Sequence, residues 1–202
     1  KQKESMLHTG NTLTLLTNGE EKFPSLFEAI SSAKNHIHLE YYIFSKDDIG
    51  MRITEILLQK LREGVVVRLI FDDRGSSRIK DIPDILSKAG AEVYRFMPVR
   101  FSSLAQANYR DHRKIAVVDG VVGFVGGINM DERYINNGKH ELFWRDTHLK
   151  IEGPAVMELQ YRFFQTLSFV VKRQYSLEKR YFPWTHKHRE GSILSVVASG
   201  PA

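Results

Sequence analysis

Cysteine is absent from all 202 residues, which excludes disulfides, thiolate nucleophiles and cysteine-ligated zinc. Long apolar runs are missing as well. The most extended, Ile115 to Met130, is interrupted by Asp119 and several glycines and falls short of the ~20 residues that span a bilayer. The opening KQKESMLHTG has no signal-peptide pattern and no initiator methionine, so the expectation is an excerpt of a longer protein. No proline- or serine-rich linker cuts the chain before about residue 175. What is in excess is positive charge: 29 Lys and Arg against 24 Asp and Glu, a net +5. That balance favours phosphates, nucleic acid or an anionic lipid surface, or does no more than aid solubility.

The hydrophobic pattern alternates between two periods. TLTLLTNG reads as a strand, and FPSLFEAISSA as a helix with Phe23, Leu26, Phe27 and Ile30 on one face and Pro24 in its first turn. HIHLEYYIF reads as a strand, DDIGMRITEILLQKLREG as a helix stopped by Gly64, and VVVRLIFDD as a strand buried on both faces. DIPDILSKAG and AEVYRF add a short helix and a strand. The expected fold is therefore α/β, with a mixed, largely parallel sheet flanked by helices on both faces. KIAVVDGVVGFVGG then suggests two strands around Asp119-Gly120, a type I′ hairpin signal. ELFWRDTHLKIEG reads as a strand, and the stretch after Pro154 as a long helix with Phe163, Phe164 and Phe169 in the core.

The chemistry concentrates in NYRDHRKIAVVDGVVGFVGGINMDERY. His112 and Lys114 are two apart on an expected strand, so both leave the same face. Asn129 follows the second strand of the hairpin and can return to that face. An imidazole, an ammonium and an amide converging without a metal suit a tetrahedral oxyanion. Lys114 supplies charge, Asn129 a neutral donor, and His112 is the nucleophile and proton carrier, titrating near ~6.5 when unperturbed. Attack on phosphorus through a phosphohistidine fits that set. Asp119 is an odd number of residues from His112 and falls at the turn, which assigns it to holding the turn. An orienting acceptor for His112 is expected in Asp146, with Glu141 as reserve.

Other signals have simpler readings. His36, His38 and Glu40 alternate along one strand face and imitate a metal site, but suit a polar sheet face or a cleft edge better. The glycines after Asp119 have the wrong spacing for a dinucleotide loop. From Lys172 to Arg189, basic residues interleave with Tyr175, Tyr181, Phe182 and Trp184, as in a segment docking an anionic bilayer or a solvated linker. Arg100 and Phe101 precede the motif and suit the entrance of a lipid or nucleic-acid site.

The pattern His112-x-Lys114, four residues, Asp119, six residues, Gly126-Gly127-x-Asn129 resembles the signature of the phospholipase D superfamily. Members more often carry Gly-Ser where this chain has Gly126-Gly127. The glycine pair is similar to the first half of bacterial cardiolipin synthases, as are LLTNGEEKFPSLFEAISSAKNHIHLEYYIF and WRDTHLKIEGPAVMELQYRF. The resemblance implies that His112 attacks a phosphodiester, that Lys114 and Asn129 hold the phosphoryl oxygens, and that Asp119 is the aspartate of the motif. It implies no metal and no cofactor.

It also implies transfer of a phosphatidyl group between two phosphatidylglycerol molecules at the cytoplasmic face of the cell membrane, in a protein anchored elsewhere to it. Enzymes of this kind carry two motifs around one site; this chain carries one. The expected organisation is a catalytic half-domain over 1–174, a basic aromatic linker or membrane-proximal segment over 175–192, and the start of a missing second half at 193–202. The partners expected are a phospholipid, an anionic membrane surface and a second half-domain or a second copy, rather than nucleic acid. Two other readings stand beside the transferase: a homodimeric phosphodiesterase or nuclease of the same superfamily, and a non-catalytic module that binds phosphate or anionic lipid.

Overall fold

A computed structural model describes residues 6–98, 110–183 and 190–198; Arg100, Phe101 and Trp184 lie outside them. In chain order the elements are β1 (Leu7–Thr17), α1 (Asn18–Ser32), β2 (His36–Tyr41), α2 (Asp48–Arg62), β3 (Val66–Asp72), α3 (Ile82–Lys88), β4 (Glu92–Phe96), β5 (Lys114–Val118), β6 (Val122–Gly126), β7 (Thr147–Glu152), α4 (Val156–Val171) and β8 (Ser192–Ser195). Among the described residues no helix is long and apolar enough to cross a membrane.

The strands form one sheet in the order β4-β3-β2-β5-β6-β7-β1-β8. It is mixed and has helices on both faces, as the alternation of elements implies. Its parallel share is smaller than expected. Only β2 with β3 and β3 with β4 run parallel, whereas β5 lies antiparallel to β2 and β1 antiparallel to β7 and β8. The physical reason is that β1 does not pair with its neighbour in sequence. It crosses to the far side of the sheet, where the hairpin strands β6 and β7 provide an antiparallel edge.

The period of two in β2 decides what each face buries. Ile37, Leu39 and Tyr41 join the core that α1, α2 and α3 cover, with Leu26, Ile53, Leu57 and Leu86 fully buried there. His36, His38 and Glu40 go to the opposite face, under α4 and its Phe163 and Phe164. Each fully buried aliphatic side chain contributes ~1.5–3 kcal/mol, so the α1–α2 face is the larger source of stability.

One local departure concerns a helix start. Helix α1 begins at Asn18, so Pro24 lies inside it rather than in its first turn. Glu21 reaches back to accept from the Thr17 backbone N–H at 2.7 Å, satisfying a free donor at the helix start. Within the segment expected as a linker or membrane-proximal stretch, Tyr181 is buried between His36, His38 and Phe164, and Tyr175 meets Arg68 at 3.0 Å. Lys179 and Arg180 remain exposed.

Candidate functional site

The carboxyl ends of β2 and β3 open where the sheet changes from parallel to antiparallel, the usual place for a site in an open α/β sheet. Register brings Tyr41 opposite Lys114; Tyr42, one residue further on, and His112, two residues before Lys114, meet beyond the strand ends. The His112 ring is exposed and lies on the Tyr42 ring, with centroids 4.0 Å apart and planes 19° apart. Lys114 Nζ donates to the His112 backbone carbonyl and sits 5.3 Å from the centre of the Tyr42 ring. His112 and Lys114 thus share a side of the sheet.

Lys114 is largely buried and makes no ion pair with any described carboxylate. Burial pulls its pKa down, opposed by the fields of Asp111 and Asp146. A desolvated ammonium without a bonded counter-ion is a receptor for an anion.

Asn129 follows β6 and is fixed at both ends of its amide. Its Oδ1 accepts from the Ile43 backbone N–H at 3.0 Å, and its Nδ2 donates to Tyr134 Oη at 2.8 Å. The first bond ties the hairpin exit to the carboxyl end of β2, and Met130 N–H to the Ile43 carbonyl repeats the tie at 3.0 Å.

Gly126 and Gly127 are required by what lies against them. A Cβ on Gly126 would stand 2.5 Å from the Thr147 carbonyl oxygen and 2.6 Å from His148 Nδ1. A Cβ on Gly127 would stand 2.1 Å from Asp146 Oδ1. The Asp146 carboxylate therefore occupies the volume that a side chain at 127 would fill. Its backbone is held by Asn18, whose Oδ1 accepts from the Asp146 N–H at 2.9 Å, and its Oδ1 accepts from the Thr147 N–H at 2.7 Å. Asp146 acts on Lys114 through its field and is not hydrogen-bonded to His112, whose ring is held by Tyr42. Glu141 is exposed in the loop before β7.

Asp119 is at the other end of β5, five residues or ~17 Å along the strand from Lys114. It stands with Gly120 in the left-handed region, at φ 53° and 68°, the pair of angles a type I′ turn needs. Its carboxylate accepts the backbone N–H groups of Lys34, Asn35 and His36 at 2.7, 2.7 and 2.8 Å. It therefore joins the hairpin turn to the α1–β2 loop and does not touch His112.

Of the alternating His36, His38 and Glu40, His38 and Glu40 have polar protein partners, whereas His36 meets only the His38 and Tyr181 rings. Arg68 Nη1 stands 3.0 Å from His38 Nε2. Because a guanidinium only donates, His38 accepts at Nε2 and carries its proton on Nδ1; the Gln160 amide end placed 2.6 Å from Nδ1 is Nε2, and the hydrogen-bond network assigns the oxygen to that position. Burial lowers His38 and takes His36 down to about 4. Among the described residues no three His, Asp or Glu side chains converge as metal ligands would.

The sequence reading missed three contributors. Tyr42 had one signal, a second tyrosine next to Tyr41 where strict alternation removes one of the two from the core. Tyr134 had none that distinguishes it from a loop aromatic. His148 lies opposite Gly126 in the β6–β7 register and is buried, with its pKa lowered by desolvation to about 2. It accepts from the Ile128 backbone N–H at 3.3 Å, which supports the segment leading to Asn129.

Comparison with known proteins bears on this arrangement. Residues 26–164 match the family described as "Cardiolipin synthase, PLD-like domain". The chain is 39% identical over 200 residues to cardiolipin synthase 1 of Bacillus cereus, covering 95% of this chain and 39% of that protein. It is 48% identical over 190 residues to the cardiolipin synthase of Geobacillus kaustophilus, covering 93% and 38%. The chain thus spans about two fifths of the length of these curated relatives. Among solved structures, the fold is similar to Nuc of Salmonella typhimurium, a phospholipase D family member, with a TM-score of 0.62 at 16% identity, covering 78% of this chain and 95% of that one. NucT of Helicobacter pylori gives 0.60 at 20%, covering 78% and 96%.

Proposed function

Because the chain belongs to the cardiolipin synthase, phospholipase D-like domain family, we propose that it forms one half of a phosphoryl-transfer site acting on phospholipid phosphodiesters, with phosphatidylglycerol as donor and a second phosphatidylglycerol as acceptor. A lone pair of the neutral His112 imidazole attacks phosphorus. An N–P bond forms, the P–O bond to glycerol breaks, and the departing oxygen takes a proton from the histidine of a second motif. The acceptor hydroxyl then attacks phosphorus and gives its proton to that histidine, and the N–P bond breaks. Lys114 and Asn129 stabilise the oxygens on which charge grows. Asp146 tempers the charge at Lys114 and is the acceptor toward which an ordered His112 ring can turn. Asp119 serves by holding the hairpin.

The observation that carries this reading is Lys114: a largely buried ammonium without an ion pair among the described residues, on the same side of the sheet as the exposed His112 ring. The second motif comes from a further half-domain or from a second copy of the chain. The copy reading, in which the product is a cleaved phosphodiester, is favoured by one observation: the similar solved chains consist of little more than this one fold unit, 95% and 96% covered. The phospholipid reading goes with a peripheral position at the cytoplasmic face of the cell membrane.

Titration of the chain with tungstate, a tetrahedral oxyanion, tests the receptor. Binding shifts the His112 imidazole resonances, and Lys114→Ala weakens it by about ten- to a hundredfold, as loss of a charge-assisted hydrogen bond requires. Equal affinity in the variant would overturn the assignment.

A further inference from the structure

Side chains flanking His112 point the other way. Asp111 and Arg113 meet Glu40 of β2 and Thr166 of α4 on the face opposite His112 and Lys114. Glu40 is fully buried. Its Oε1 accepts from Thr166 Oγ1 at 3.0 Å and lies 3.5 Å from Arg113 Nη1. The same Arg113 nitrogen donates to Thr166 Oγ1 at 2.8 Å. The Arg113 backbone N–H donates to Asp111 Oδ1 at 3.1 Å, which curls the chain around His112. The other oxygen of Glu40 meets no protein N–H, and the carboxyl it faces is that of Asp111.

Two carboxyl groups in contact in a desolvated site hold a proton between them. Burial first, and then the charge of Asp111, push Glu40 well above the ordinary carboxylate range. Arg113 and Thr166 oppose the shift without cancelling it; the guanidinium is more than a third exposed and its contact is long.

We propose that Glu40 is a positioning residue for His112: hydrogen-bonded to Thr166 and in contact with Arg113, it holds the 111–113 backbone from the α4 face so that the His112 ring lies on Tyr42 on the other. The consequence for catalysis rests on the reading of His112 as nucleophile. The consequence for structure does not.

The test pairs two readouts on Glu40→Gln, Glu40→Val and Thr166→Val. The first is the ring-current displacement of the His112 imidazole signals by Tyr42, measured by NMR on the chain itself. The second is phosphatidyl transfer by the assembly with a second His-x-Lys half. A glutamine amide donates to Asp111 and accepts from Thr166, so Glu40→Gln keeps the displaced signals and transfers within about threefold of the parent. Glu40→Val loses the displacement, and kcat falls at least about tenfold with KM unchanged, as misplacement of a reacting group requires. Thr166→Val removes the hydroxyl's contacts to Glu40 and Arg113, gives a partial loss, and decides the matter if Glu40→Val does not fold. The proposal is overturned if the valine variants leave the His112 signals unmoved, or if Glu40→Gln is as damaged as Glu40→Val. If the signals respond as described while His112→Ala still transfers, the functional reading fails and the positioning stands.

Discussion

His112 lies on Tyr42, ring on ring, at 4.0 Å. Tyr42 in turn is backed by Gly75, where a Cβ would stand 2.7 Å from the tyrosine ring. The imidazole is thus presented by an aromatic plate that cannot retreat. Such a stack contributes ~0.5–1.5 kcal/mol. Tyr42→Phe keeps the plate and is expected to retain transfer within about twofold. Tyr42→Ala frees the ring and is expected to lower kcat about tenfold or more. Steady-state kinetics on the two variants checks this.

Asp119 belongs to the motif by spacing and to the scaffold by contact. Of the three backbone N–H groups that Asp119 accepts, those of Lys34 and Asn35 are exposed and that of His36 is part-buried, so removing the acceptor leaves one donor short at ~1–3 kcal/mol. Asp119→Ala also places an alanine at positive φ. Urea denaturation is expected to show a loss of ~3 kcal/mol or more, and tungstate affinity of the folded fraction is expected to be unchanged.

Acid sensitivity follows from the buried imidazoles. His36 is held down at about 4 by burial, against the pull of Asp119, while an unfolded histidine titrates near ~6.5. The unfolded chain therefore binds the proton first. The stability tied to neutral His36 is complete above pH ~6.5 and is lost as pH falls through about 4, amounting to ~3 kcal/mol. Asp131, lowered to about 2 against its own burial chiefly by Arg133 and Ser45, adds a further loss only below the ordinary aspartate range. Denaturant midpoints at pH 7, 5 and 4 report the first window. His36→Gln is expected to make it shallower, leaving the share of His38 and His148, which burial also holds neutral.

The two glycines are expected to respond differently. At Gly126 the obstruction is backbone, the Thr147 carbonyl and His148 Cα, and backbone in a paired strand has nowhere to go. Gly126→Ala is expected to destabilise by ~3 kcal/mol or more. At Gly127 the obstruction is the Asp146 carboxylate, which can rotate. Gly127→Ala is expected to cost ~1–2 kcal/mol and to alter tungstate binding through Lys114. Adding Asp146→Gly is expected to recover the stability, so the double variant is less damaged than the sum of the singles.

Much of this was legible in the residues. The order of strands and helices follows from the switch between periods of 2 and 3.6, and Asp119-Gly120 names its turn because few residues tolerate two left-handed positions in succession. The placement of β1 was not legible, because a strand's partner is chosen by tertiary packing and not by its own pattern. His112 and Lys114 could be put on one face by parity. That Tyr42, rather than Asp146, holds the ring could not be, since the stack depends on how two strands end. Lys22 shows the same limit. Nothing in the sequence pattern singles it out, yet it is fully buried over Phe23 and Tyr41, and burial drives its pKa well down.

The most direct measurement is acid-labile label. The assembly with a second His-x-Lys half, quenched during turnover of phosphatidylglycerol labelled at phosphorus, is expected to carry the label on the peptide containing His112. His112→Ala is expected to abolish it, and Lys114→Ala to slow its formation about 10²–10³-fold. Label on any other residue of this chain, or undiminished turnover in His112→Ala, would contradict the account.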